Sequence, residues 1–301
     1  MKVLITGLSG FVGENLSKYL SQKQIEIIGL NREQLTQVKE LHITNVDCVV
    51  HLAGKAHDLK KSLNPDEYYQ INFELTKNLY DAFLKSDAKK FVFISSVKAG
   101  ADKVDGVLTE DQVPNPQTDY GKSKLMAEQY IQDQALPSGK SYYILRPCMI
   151  HGPGNKGNLN LLYEFVRKEI PYPLASFENR RSFLSVENLC FVIVELLRKE
   201  VLSGVYQVAD DEALSTNEVV EILAKSITKK VKLWTIPKSL IFVLAKLGDW
   251  LHLPINTERL NKLTENYIVS NKKIKSAINL SLPQSTREGL LTTANSFKNI
   301  R

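Results

Sequence analysis

Short, wholly apolar runs alternate along the first half of the chain with stretches in which apolar residues recur three and four positions apart. The runs predict strands near 2–6, 25–30, 47–52, 91–95 and 142–148, and the periodic stretches predict helices over about 11–22, 65–86 and 119–135. Strands that are apolar throughout, separated by amphipathic helices, define an α/β fold with a doubly wound parallel sheet covered on both faces. Asn64-Pro65-Asp66-Glu67 supplies a helix start, with a capping side chain, a proline at the first turn and acids on the positive helix end. The interval 31–46 is too short for a full helix and strand, so the sheet is expected to lack one strand. After Arg146-Pro147 the turn-formers Gly152, Pro153, Gly154, Asn155, Gly157 and Asn158 mark passage to a second domain of mixed helices and short strands, Val205–Val208 among them.

The first strand, Val3-Leu4-Ile5, runs through Thr6 into Gly7, Gly10 and Gly13, and a periodic helix begins near Phe11 and Val12. Strand, glycine turn and helix N-terminus together make a seat for a pyrophosphate. The first N–H groups of the helix point at the anion and the glycines let the backbone approach it. A second constellation follows a predicted strand end. FVFISS brings Ser95 and Ser96 to the carboxyl edge of the sheet, where ligands of such sheets bind. Tyr120 and Lys124, four apart on a helix capped by Thr118 or Asp119, share one face. A fixed cation beside a phenol is expected to lower its pKa and make it a proton exchanger for a hydroxyl or carbonyl.

Composition narrows the setting. The 301 residues are 43% hydrophobic, enough for a large core and two domains. The net charge of +6 is dispersed over separate lysine pairs, which reads as solvated faces and excludes a nucleic-acid binder. Cys48, Cys148 and Cys190 lie in apolar surroundings without metal-ligand spacing, so no metal is expected and a reducing, cytoplasmic setting is. There is no signal peptide and no run able to span a bilayer, so no stable membrane insertion is expected. SLIFVLAK, 239–246, reads as a core or interdomain helix, with surface association with a membrane the alternative, for which the sequence gives no positive support.

With TGLSGFVG, VVHLAGKAH at 49–57, the Asn of YYQINFELTKNL, FISSV, YGKSK, LRPCMIHGPG at 145–154 and RRSFLSVENL at 180–189, in that order, the chain resembles the extended short-chain dehydrogenase/reductase family over nearly its full length. The resemblance implies a Rossmann-type dinucleotide-binding domain over 1–152, with a return segment near 181–200. It also implies a smaller mixed α/β nucleotide-sugar-binding domain over 153–301. It assigns Ser96, Tyr120 and Lys124 to catalysis, with Ser96, Asn158 and Arg181 on the substrate. Gly7, Gly10, Phe11, Val12, Gly13, Asn31, Arg32, Leu52, Ala53, Gly54, Ser95, Tyr120, Lys124 and Pro147 are assigned to the cofactor. A guanidinium at Arg181, beside Arg180, suits a diphosphate. His151, standing where the family usually has tyrosine, reads as a packing residue.

Strand two ends in Asn31-Arg32 without a carboxylate for the ribose 2′-hydroxyl, which favours NADP, with NAD the alternative. Within the family the chain looks most like bacterial enzymes acting at C4 of UDP-N-acetylhexosamine derivatives. The expected activity is reduction of a UDP-linked 4-keto-6-deoxy-N-acetylhexosamine for surface polysaccharide synthesis, with a UDP-sugar 4-epimerase as the alternative. A non-catalytic dinucleotide sensor on the same fold is the third reading, against which the intact Tyr120 and Lys124 speak. A homodimer built on the helices at 65–86 and 119–135 fits the family.

Overall fold

A computed structural model describes residues 1–36, 43–55, 64–155, 157–251 and 256–298, with the side chains of Arg32, Thr36 and Asn158 outside the described set. The first half alternates strand and helix: β1 (Lys2–Thr6), α1 (Phe11–Gln22), β2 (Glu26–Leu30), α2 (Arg32–Thr36) and β3 (Cys48–His51). Helix α3 (Asp66–Tyr69) passes through a π-helical turn, Gln70–Glu74, into α4 (Leu75–Lys85). There follow β4 (Lys90–Ile94), α5 (Val97–Gly100), β5 (Val107–Leu108), α6 (Asp119–Asp133) and β6 (Ser141–Pro147).

The chain then leaves the sheet through β7 (Met149–His151), α7 (Asn158–Arg167), β8 (Arg180–Arg181) and β9 (Phe183–Ser185). It returns along α8 (Val186–Arg198) to β10 (Gly204–Val208). Beyond it lie β11 (Leu214–Ser215), α9 (Thr216–Ser226), α10 (Lys238–Trp250), α11 (Thr257–Thr264), β12 (Ile268–Val269), α12 (Lys272–Ile278) and α13 (Thr286–Phe297).

The main sheet is parallel throughout, in the order β10-β6-β4-β3-β1-β2. This is a Rossmann-type arrangement, and among the described residues no strand lies outside β2, as the short 31–46 interval led us to expect. The Val205–Val208 run is a strand of this main sheet, pairing with β6, because its return helix α8 packs against α1 across the same face. Strands β3 and β4 are buried at every position, which is why they read as continuous apolar runs.

The principal core joins Val3, Ile5, Leu16 and Leu20 to Leu189, Ile193 and Val208. It also takes in Tyr267, Ile274 and Ile278 from the C-terminal region. A second core lies on the opposite sheet face around Phe83, Phe91 and Ile131. Helices α7, α9 and α13 enclose a third around Tyr163, Leu223 and Phe297.

Helix α10 departs from expectation. Of its large apolar residues only Ile241 is buried, with Ala245 and Gly248 beside it, so 239–246 is a surface helix and not a core element. An apolar run on a helix covers its whole circumference, and among the described residues only the part facing Phe177 and Leu260 finds a partner.

Candidate active site

The carboxyl ends of β1, β2 and β3 open onto a cleft of about 610 Å³ lined by Gly7, Gly10, Asn31, Leu52, Ala53 and Gly54, with Leu8, Ser9, Gly29, Leu30, Gln34, Leu35, Lys55, Ile71 and Leu75 completing its wall. Gly7 has φ +75°, and a Cβ there would stand 2.8 Å from the Ala53 backbone nitrogen. A Cβ at Gly13 would overlap the Gly7 carbonyl oxygen, so strand, turn and helix close on one another only through glycine. Gly10 N–H donates to the Gly7 carbonyl at 3.1 Å and caps α1, whose first turn holds Phe11, Val12 and Gly13. This cradle fits a dinucleotide pyrophosphate: a backbone that no side chain covers, set at a helix N-terminus.

Asn31 lies on the wall beneath the end of β2. Its side chain accepts from Gln34 N–H at 2.8 Å while Gln34 Oε1 accepts from Asn31 N–H at 2.9 Å, a reciprocal cap on α2. Arg32 begins that helix, but its side chain lies outside the described residues, as does that of Asn158 at the start of α7.

Ser96 ends the β4 edge and caps α5, accepting from Lys98 N–H at 3.2 Å. Its hydroxyl faces the phenol of Tyr120, which α6 presents because Thr118 caps that helix, accepting from Gly121 N–H at 3.2 Å. Lys124, one turn further, donates through Nζ to the Ile94 carbonyl at 2.9 Å and lies 4.8 Å from the Phe93 ring centroid. The Lys124 ammonium and Asn72 Oδ1 both lie so close to Gly54 that a Cβ there would sit 2.9 and 3.0 Å from them.

The expected lowering of the Tyr120 pKa is not what the structure gives. Burial pushes the phenol above its ordinary value, the Ser96 hydroxyl pulls the other way, and Tyr68 adds to the rise. Burial also draws Lys124 down to about 8, against the pull of Glu128. At neutral pH the pair is therefore a protonated phenol beside a weakened ammonium that is anchored to a backbone carbonyl.

Ser95, expected at the cofactor, lines neither the cleft nor the smaller cavity described below. It is buried and its hydroxyl donates to Glu128, which also receives Arg146 Nε at 3.0 Å and Nη2 at 2.5 Å. His151 is fully buried, with Nδ1 2.8 Å from Thr293 Oγ1 and the ring edge-on to Phe183, the packing role expected of it.

A smaller cavity of about 240 Å³ adjoins Ser96 and is lined also by Pro147, Lys98, Arg181, Glu265 and Tyr267. Arg181 is fixed from the C-terminal side: Nε donates to the Glu265 carbonyl at 3.2 Å, and Nη2 to the Lys262 carbonyl and to Glu265 Oε1. Arg180 instead donates to the Ala213 carbonyl at 3.0 Å. The structure thus brings Ser96, Pro147 and Arg181 to one cavity, and Gly7, Gly10, Asn31, Leu52, Ala53 and Gly54 to the other.

Sequence reasoning passed over Lys98, Tyr267 and Asn72 as site residues. Lys98 stands two residues from Ser96 and lies 4.3 Å from the Tyr267 ring centroid; that proximity was visible in FISSVK. Tyr267 comes from far along the chain, its hydroxyl donating to the Ala101 carbonyl at 2.6 Å, and had no local signal. Asn72, fully buried in the π-helical turn, accepts from Lys55 N–H at 2.8 Å and donates to Ser123 Oγ at 3.1 Å. It ties the loop after β3 to α6.

Fold, glycine cradle and Ser–Tyr–Lys edge together define a dinucleotide-dependent oxidoreductase class. The model of the NAD dependent epimerase/dehydratase family matches residues 3–209, and the chain belongs to that family. It is similar to a UDP-glucose 4-epimerase of Vibrio cholerae, 32% identical and covering 98% of this chain and 95% of that protein. An N-acetyl-α-D-glucosaminyl-diphospho-ditrans,octacis-undecaprenol 4-epimerase of Escherichia coli O157:H7 is 30% identical over 91% of this chain and 84% of its own length. The fold matches that of RMD from Pseudomonas aeruginosa complexed with NADPH, with a TM-score of 0.77 at 20% identity over 99% of this chain and 100% of that one. The protein is thus an NAD(P)-dependent enzyme of the extended short-chain dehydrogenase/reductase type, in a family of nucleotide-sugar epimerases and reductases.

Proposed function

We propose that the chain interconverts the C4 epimers of a UDP-linked hexose or N-acetylhexosamine. The observation that carries this reading is the Ser96 hydroxyl facing the Tyr120 phenol, beside a cavity that Ser96 lines together with Arg181. A phenol and a second hydroxyl converge there on one substrate oxygen, with a guanidinium nearby for the diphosphate. Both curated relatives described above, similar over most of this chain, carry the name of 4-epimerase.

The cofactor, NAD in this reading, supplies the acceptor and donor of a hydride when bound, and Gly7, Gly10 and Gly13 with the first turn of α1 would hold its pyrophosphate. Tyr120 holds the proton at Oη and exchanges it with O4, while Ser96 keeps that oxygen in line. For the oxidising half Tyr120 must enter as phenolate, against the burial that raises its pKa, and Lys124 on the same helix face would lend its charge to that form. Arg181, with Nε and Nη2 fixed to the α11 end, would present Nη1 to the diphosphate. Asn158 and Arg180 would lie near it.

A second reading rests on Asn31. Strand β2 ends without a carboxylate, and the Asn31 side chain is engaged with Gln34, which suits NADP, with Arg32 on the 2′-phosphate, and a reductase of UDP-4-keto-6-deoxy-N-acetylhexosamine.

Incubation of the purified protein with UDP-N-acetylglucosamine and UDP-glucose, without added reductant, separates the two. Appearance of the C4 epimer by NMR supports the first. If no epimer forms and NADPH absorbance falls with the 4-keto-6-deoxy substrate, the epimerase reading is lost to the second.

A further inference from the structure

Helix α10 carries two apolar faces, and among the described residues only one is covered. Ile241, Ala245 and Gly248 turn inward, where Ile241 and Ala245 pack with Phe177 and Leu260. Leu240, Val243, Leu244, Leu247, Trp250 and Leu251, spaced at three, four and seven along the helix, form a second stripe and are 48% to 76% exposed. A contiguous exposed stripe of this kind marks an interaction surface.

Three further observations specify what it meets. Trp250 closes the helix, and Trp234, 53% exposed, stands four residues before it, so the two tryptophans of the chain flank the stripe in sequence. Lys230, Lys232, Lys238 and Lys246 are exposed on the approach to the helix and on its polar side. The single acid between Lys238 and Leu251, Asp249, is engaged by the N–H and hydroxyl of Thr257. At 13 residues the helix is about 20 Å long, too short to cross a bilayer and suited to lying along its surface.

We propose that this face of α10 docks in the headgroup layer of an anionic lipid bilayer, with the leucines and valine entering the acyl boundary and the tryptophans seated at the interface. Charge decides against a second copy of the chain. A two-fold pairing through the stripe would bring together two molecules each of net charge +6, whereas anionic lipid attracts these lysines. Docking also leaves the small cavity one helix from the headgroups, because α11 packs on α10 and its end holds Arg181 through Lys262 and Glu265. It does not depend on which C4 reaction the site carries.

The test is flotation of the full chain with phosphatidylglycerol/phosphatidylethanolamine vesicles, together with tryptophan emission, which reports only from Trp234 and Trp250. Wild-type protein should float and its emission shift to the blue, with weaker binding to pure phosphatidylcholine. The double variant Leu244→Glu/Leu247→Glu should lower the vesicle partition constant by about ten-fold or more with unchanged melting. Should that variant fold poorly, Trp250→Ser serves in its place, with a smaller loss expected. Wild type that neither floats nor shifts, a variant that floats equally, or equal binding to phosphatidylcholine would each overturn the proposal. So would a wild-type dimer that ignores vesicles and is dispersed by the double variant, since the stripe would then belong to a second copy.

Discussion

At the scale of single residues, burial governs how the site titrates. Tyr120 and Lys124 share a helix face, yet the phenol rises because it is buried, and Lys124 falls to about 8 for the same reason. Tyr120→Phe keeps the ring and its edge-on packing against Tyr68, and removes the hydroxyl that carries the proton. Turnover should fall by about two to four orders of magnitude with cofactor affinity nearly unchanged, as measured by steady-state kinetics and nucleotide titration. Near-normal turnover would remove Tyr120 from the chemistry.

His51 gives a second test at this scale. It is fully buried between Thr6 Oγ1 at 2.7 Å and Thr76 Oγ1 at 2.9 Å, and burial, aided by Lys124, holds its pKa down to about 3 from 6.5. Between those values the unfolded chain binds a proton that the folded one refuses. Its contribution to stability is therefore full above pH 6.5 and is lost as pH falls toward 3. From pH 7 to pH 5 the wild type should lose about 2 kcal/mol more than His51→Gln in urea titrations. Parallel losses in the two proteins would mean that His51 does not set the slope.

Ser96, Tyr120 and Lys124 were legible because each sits at a position that strand end or helix spacing dictates. The direction of the phenol's shift was not, since burial is a property of the packed molecule.

At the scale of elements, the strands were legible where burial on both faces leaves an unbroken apolar run, as in Phe91–Ile94. The glycine turn was legible because it must close without side chains. The π-helical turn at Gln70–Glu74 has no periodic signature, and α10 shows that apolarity does not tell which side of a helix is covered. The buried Glu128–Arg146 pair, which fastens α6 to β6, was equally invisible, since its partners belong to separate elements. Removing one charge leaves the other without its partner in the interior. Glu128→Leu and Arg146→Met should each cost about 3–5 kcal/mol, and the double replacement Glu128→Leu/Arg146→Met clearly less than their sum. Additive losses in urea titrations would show that the two side chains act independently.

At the scale of the whole molecule, the C-terminal half is threaded through the first. Strand β10 completes the main sheet. Strand β12 pairs with β5, and Tyr267, Val269, Ile274 and Ile278 belong to the same core as Val3 and Leu16. A boundary drawn at 152/153 along the sequence therefore does not divide the contacts that hold the protein together. Local patterns could not reveal this, because a strand signal at 205–208 says nothing about which sheet receives it. The consequence is cooperative unfolding. Calorimetry should show one main transition, and a nicotinamide dinucleotide held at about a hundred times its Kd should stabilise that entire transition by about 2.7 kcal/mol, although every residue lining the cleft lies between Gly7 and Leu75. If a second transition appears that the nucleotide leaves in place, the region around α7, α9 and α13, with its own core, unfolds by itself. The shared core of Leu189, Ile193 and Tyr267 would then be too weak to couple the halves.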